Sequence, residues 1–298
     1  MAKRKCGVIR TMKQQLKKSI AQEMFFLASL PALLWQLLFL CVPLLIIIYL
    51  SFVKEGVITG EHYRSLFQIT HMRVILRSLG LAFANALICL ICAYPVAYFL
   101  GLYAKRWKNF LLFLLVLPFW TNFLVQVYAW FFLLERNGFI NSLLLRIGII
   151  SQPLSLSSNL FAVFLVMVYC YIPFMILPIY SNIGKLNYRL LEASADLGAT
   201  PWQTFKRITL PLSIPGIKTG VLLVLVPSFG EYVIPTLLGG SKNMMVGSLI
   251  SHYFLVARDS SLGSTFTLMS GLILLIVALL FHWYIYVTFE KMGKEDER

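Results

Sequence analysis

Six long stretches of this chain carry almost no charge, and they restrict its fold more than any other feature. Met24–Val53 runs 30 residues without Lys, Arg, Asp or Glu, Ser78–Ala104 runs 27, Asn109–Leu134 26, Ile147–Gly184 38 and Ser260–Phe289 30. Lys218 and Lys242 bracket 23 more, broken only by Glu231. A helix needs about 20 apolar residues to cross a hydrocarbon layer of roughly 30 Å. The start of the fourth stretch, GIISQPLSLSSN, reads as a loop, so its helix begins near Leu160. None of the stretches shows the alternation of a transmembrane barrel. The expectation is an all-α polytopic membrane protein: one transmembrane domain over 1–298, with six helices near 27–52, 78–103, 110–134, 160–182, 214–240 and 264–288.

Composition agrees. Hydrophobic residues make up 59% of the 298 and charged residues 13%, with mean hydropathy +0.80, too little polar surface to cover a soluble fold. The net charge of +14 would suggest nucleic acid in a soluble protein. Here basic residues flanking membrane spans account for it, so no nucleic-acid partner is expected. With the N-terminus inside, the cytoplasmic segments hold 18 Lys and Arg and the outer segments 8. That bias puts both termini in the cytoplasm. The first apolar run is too long for a cleavable signal and reads as a first span.

Enzymatic chemistry is missing. There is no GxxxxGK[ST] loop, no HExxH and no GxSxG, and the four histidines are scattered. Cys89 and Cys92 form a CxxC inside LICLICAY without ligating or activating neighbours, so they read as small apolar fillers. No catalytic residue, metal site or cofactor is expected.

One cytoplasmic loop, 185–211, has its own design. Asn187 can cap a first short helix, and Gly198 sits where that helix would end in a left-handed residue. Thr200 and Gln203 are spaced as a capping box, with Pro201 at the first helical position. Pro211 should stop the second helix before the fifth span. The first helix sets Leu190, Ser194 and Leu197 on one side, and Glu192 and Asp196 four apart on another. So short a hairpin must dock on something. That could be the protein's own span ends or a soluble partner.

The loop resembles the EAA motif of ABC importer permeases: Glu192, Ala193 and Ser194, then Gly198, then Ile208 with Leu210 and Pro211. Ser194 departs from the usual Ala but stays small. The resemblance implies the type I importer architecture and a coupling role for these seven residues. The loop would sit on an ATP-hydrolysing subunit, with Glu192 making a polar contact there and Gly198 permitting the turn.

Three further segments, covering most of 78–289, resemble the spermidine/putrescine permeases of that family. They are Pro118–Asn122 with Gln126–Trp130, Ile172–Ser181, and Gly230–Pro235 with Leu237–Gly240. A departure is Gln126, where relatives often carry Arg. The implied function is half of an ATP-driven polyamine translocation pathway in a bacterial cytoplasmic (inner) membrane. The implied partners are two copies of an ABC ATPase, a sister permease and an extracytoplasmic polyamine-binding protein.

Glu231 fits that cargo. A mid-membrane charge costs about 2.5–3.5 kcal/mol, which favours a cavity over lipid. Pro227, Gly230 and Pro235 around it can break the helix. Linear polycations suit a carboxylate with aromatic faces, and Tyr232, Trp120, Tyr128 and Trp130 are candidate faces. The competing reading is structural: Glu231 protonated or paired with a sister permease, and the aromatics serving as packing or interface anchors. An ABC permease for another small solute, or an ion-coupled secondary carrier, are the alternatives. The latter leaves the EAA-like loop unexplained.

Overall fold

A computed structural model of the chain describes residues 30–54, 57–58, 60–66, 68–104, 106–240 and 244–290. The expected start of the first span, and Lys3, Arg4, Lys5, Arg10, Lys13, Lys17, Lys18, Lys105, Lys242, Lys291, Lys294 and Arg298 from the charge tally, lie outside the described residues.

The described chain is almost wholly helical. It begins with α1 (Leu30–Phe52) and a two-residue antiparallel pair, β1 (Val53–Lys54) with β2 (Val57–Ile58). Then come α2 (Glu61–Leu66), α3 (Ile69–Leu102), α4 (Lys108–Val116), α5 (Phe123–Leu134), α6 (Phe139–Ile147) and α7 (Leu160–Ile183). The rest is α8 (Tyr188–Asp196), α9 (Pro201–Thr204), α10 (Leu210–Gly230), α11 (Val233–Leu238), α12 (Val246–Ser251) and α13 (Ser260–Ile285). Five helical segments are long and apolar enough to cross a membrane: Leu30–Phe52, Ile69–Leu102, Leu160–Ile183, Pro201–Gly230 and Ser260–Thr288. Lys108–Trp120 and Phe123–Ile147, bent by 91° at their junction, make six when counted as one span.

Helices α3, α7 and α10 form the core. Lipid tails give no hydrophobic drive between helices, so close backbone approach must supply the packing. On α3 the buried row Ala82, Ala86, Cys89, Ala93 and Ala97 keeps one face thin. On α10, Gly216 and Gly220 touch α7 directly: a Cβ on Gly216 would lie 2.8 Å from the Pro178 carbonyl oxygen, and one on Gly220 2.7 Å from Met175 Sδ. Two polar bonds tie α3 to α10. Asn85 Nδ2 donates to Ser228 Oγ at 2.8 Å, and the Tyr94 hydroxyl meets Ser213 Oγ at 3.0 Å. Outward faces are apolar. Leu272, Leu275, Ile276, Leu279 and Leu280 of α13 are exposed, and the apolar stretch of α1 has no buried residue. Water would not tolerate that much bare hydrocarbon, and a bilayer requires it.

Two expectations need correction. Pro211 does not stop a helix. The chain is helical without a break from Pro201 to Gly230, because a π-helical turn at Phe205–Thr209 precedes α10. Leu210 N bonds to Phe205 O, and this wider turn removes the need for the bond Pro211 cannot donate. Nor is 214–240 one helix: it ends at Gly230 and restarts as α11 at Val233.

The third span's bend has local causes. Leu117–Trp120 tightens into a 3-10 turn containing Pro118. Asn122 then caps α5, its side chain accepting from Leu124 N at 2.8 Å. Thr121 Oγ1 donates to the Pro118 carbonyl at 2.8 Å, and the Gln126 amide donates to that carbonyl and to Thr121 Oγ1. The Pro118 carbonyl and the Leu124 N–H at the bend are therefore satisfied, as broken helices at membrane depth require.

Candidate functional site

The two helix breaks meet at one cavity of about 360 Å³. Pro118, Phe119 and Thr121 come from the bend of the third span, and Glu231 from the gap between α10 and α11. Tyr169, Tyr171 and Phe174 of α7 close it, and Gln126 of α5 also faces it. Glu231 leaves the helix with φ −63° and ψ 130°, directly after Gly230, a weak helix former. Its side chain is 7% exposed. Oε1 accepts from Val233 N at 2.9 Å and Ile234 N at 3.4 Å, so it satisfies the first free N–H groups of α11. Oε2 accepts from the Tyr171 hydroxyl. The three groups bonded to the carboxyl group are two backbone N–H groups and the Tyr171 hydroxyl.

Of the five pathway residues expected from the sequence, Glu231 lines this cavity. Trp120 is 74% exposed and packs edge-on against Phe113, ring centres 5.6 Å apart. Tyr128 and Tyr232 are about half exposed. Trp130 sits one ring behind the wall, edge-on to Tyr169 at 5.3 Å. Of the wall aromatics, Phe119 and Phe174 fall within segments that carry the family resemblance but were not expected to line the pathway, and Tyr169 and Tyr171 were not singled out at all. Two tyrosines flanking Cys170 in the apolar first half of the span were the available signal, since a buried hydroxyl must find a partner.

The cytoplasmic hairpin has the caps its sequence spells. Asn187 Oδ1 accepts from Arg189 N at 3.1 Å. Thr200 and Gln203 complete the capping box at 3.3 and 2.8 Å, and Gly198 has φ +77°. Ser194 is buried, its hydroxyl against Thr204 Oγ1 at 2.9 Å. The expected shared side for Leu190, Ser194 and Leu197 therefore splits: Ser194 joins α8 to α9, while Leu190 and Leu197 face outward. Glu192, Ala193, Gly198 and Pro211 are exposed, and Ile208 and Leu210 are half-buried. Trp202 is 69% exposed and stacks on Phe205 at 5.3 Å. Phe205 meets Tyr94 and Tyr98 of α3 edge-on at 5.6 and 6.1 Å, fastening the hairpin to the second long span.

The family described as binding-protein-dependent transport system inner membrane component matches residues 93–293. The chain belongs to this family. The permease is therefore a transport component of a multi-pass inner membrane assembly, an ABC importer, and not an enzyme. It is 40% identical over 257 residues to the spermidine/putrescine transport system permease protein PotB of Haemophilus influenzae, covering 84% of this chain and 89% of that one. Against PotB of Escherichia coli K12 it is 40% identical over 253 residues, 81% and 92% covered. Among solved structures it is similar to a bacterial ABC transporter involved in the import of the acidic polysaccharide alginate. There the TM-score is 0.73 at 21% identity, covering 92% of the permease and 99% of that chain. The fold is the ABC importer permease fold.

Proposed function

We propose that this permease forms half of the pathway of a polyamine ABC importer, with Glu231 as a contact for the cargo's ammonium groups. One observation carries the reading: two broken spans converge on a cavity holding the only charge inside the six apolar stretches. Broken helices with a carboxylate between them are how membrane carriers meet a charged solute. The kinship with PotB supports spermidine or putrescine as that solute.

Coupling runs through the hairpin. Glu192, Ala193, Ser194, Gly198, Ile208, Leu210 and Pro211 present α8 and the turn to an ABC ATPase subunit, one copy under each of two permeases. Exposed Leu190, Leu197 and Trp202 give that face an apolar centre. The continuous helical run from Pro201 to Gly230 links the docking turn to the break at Glu231, so a push on the hairpin has a covalent helical path to the cavity wall. A sister permease and an extracytoplasmic polyamine-binding protein complete the assembly, and both termini lie in the cytoplasm. Trp120, Tyr128, Trp130 and Tyr232 face the sister permease or line the pathway's approach.

The test is uptake of labelled spermidine, putrescine and sulfate by a host lacking this gene. Loss of polyamine uptake alone, restored by the wild-type gene, is the expected result. Intact polyamine uptake with loss of another solute overturns the cargo.

A further inference from the structure

Tyr171 touches two cavities. It lines the one at Glu231 and, with Phe174, a second of about 670 Å³ alongside α10 that reaches Lys218 and His282. Its ring is therefore common wall, and its hydroxyl is bonded to Glu231 Oε2 across 60 residues of sequence. The other oxygen, Oε1, is held by two backbone N–H groups at the start of α11. The carboxyl group is thus positioned by the main chain and masked by a side chain. Removing the tyrosine hydroxyl leaves the first function intact and abolishes the second.

We infer that Tyr171 is a specificity-determining residue: its hydroxyl occupies the oxygen of Glu231 that the cargo must take, and only a charged donor displaces it. This inference rests on the polyamine reading of the cavity. An ammonium brings a full-charge attraction to the carboxylate that a neutral phenol lacks, and low-dielectric walls strengthen it. A neutral hydroxyl or amide exchanges one uncharged donor for another and gains nothing. Discrimination arises because the resting site already has a partner, so a neutral ligand that displaces the phenol only exchanges one uncharged bond for another. Phe174 and Phe119, packed edge-on at 4.9 Å, supply the apolar wall for the methylene chain between ammonium groups.

The test is equilibrium binding of labelled spermidine to the assembled transporter in nanodiscs, without binding protein. Wild type, Tyr171→Phe, Glu231→Gln and the double variant are compared, with 1,4-butanediol as a neutral competitor. Tyr171→Phe keeps the ring, and gel filtration with the partner subunits checks assembly. Expected are about tenfold tighter spermidine binding by Tyr171→Phe, about tenfold weaker binding by Glu231→Gln, and a double variant equal to Glu231→Gln. Butanediol should compete measurably only in Tyr171→Phe. Unchanged or weaker binding by Tyr171→Phe overturns the inference, as does the same gain in the Glu231→Gln background. A wild-type transporter that binds no spermidine but binds another solute overturns the cargo reading itself, a separate result from additivity in a spermidine-binding protein.

Discussion

At the scale of single residues, Glu231 does two jobs through two atoms. Oε1 caps α11 and Oε2 faces the cavity through Tyr171. A glutamine keeps one acceptor for the cap and loses the charge. Glu231→Gln should therefore assemble normally, while KM for spermidine uptake rises about tenfold, equivalent to ~1.4 kcal/mol. Unchanged KM and rate would exclude a direct charge role. Gly220 carries a different burden: it lets α10 lie against α7, where Met175 Sδ would be 2.7 Å from an added Cβ. Gly220→Leu should lower the thermal stability of the purified permease by several degrees, because overpacking typically costs 1–3 kcal/mol, about the same in order as a short interhelical contact. A melting curve in detergent decides it.

At the scale of elements, the hairpin depends on backbone shape more than on contact. Nothing lies within 4 Å of a Cβ built on Gly198, yet its φ of +77° excludes a β-branched residue. Gly198→Val should insert and accumulate like wild type while uptake falls to background, measured as labelled polyamine per cell against permease level on a blot. Normal uptake would remove this turn from the coupling path. Thr200→Ala should be milder. It deletes one cap worth about 1 kcal/mol, so transport should drop a few-fold. Ser194 was legible as a small residue, but its bond to Thr204 was not, since two helices meet there only after the turn folds.

At the scale of the whole molecule, the positive-inside bias predicts which cavity mouth faces which compartment. In a cysteine-free background, Ser157→Cys in the loop before α7 should react with a membrane-impermeant maleimide on intact spheroplasts. Ala199→Cys in the hairpin should react only after permeabilisation. The reverse pattern would overturn the proposed orientation. Both helix breaks were partly written in the sequence. Pro227, Gly230 and Pro235 flagged the second, and Pro118 with Asn122 could have flagged the first. The Gln126 bonds that hold the bend needed the folded chain, because their acceptors lie on the far side of it.

The number of apolar helices, their membrane environment and the caps of the hairpin follow from the sequence alone. Each depends on hydrophobic run length or on residues three or four apart, and such local interactions need no tertiary partner. The meeting of the breaks at one cavity, Tyr171 on Glu231, and the passage of the fifth span through Pro211 were decided only by the tertiary structure. Those outcomes depend on how α3, α7 and α10 pack through small side chains, and packing brings together groups that no local pattern relates.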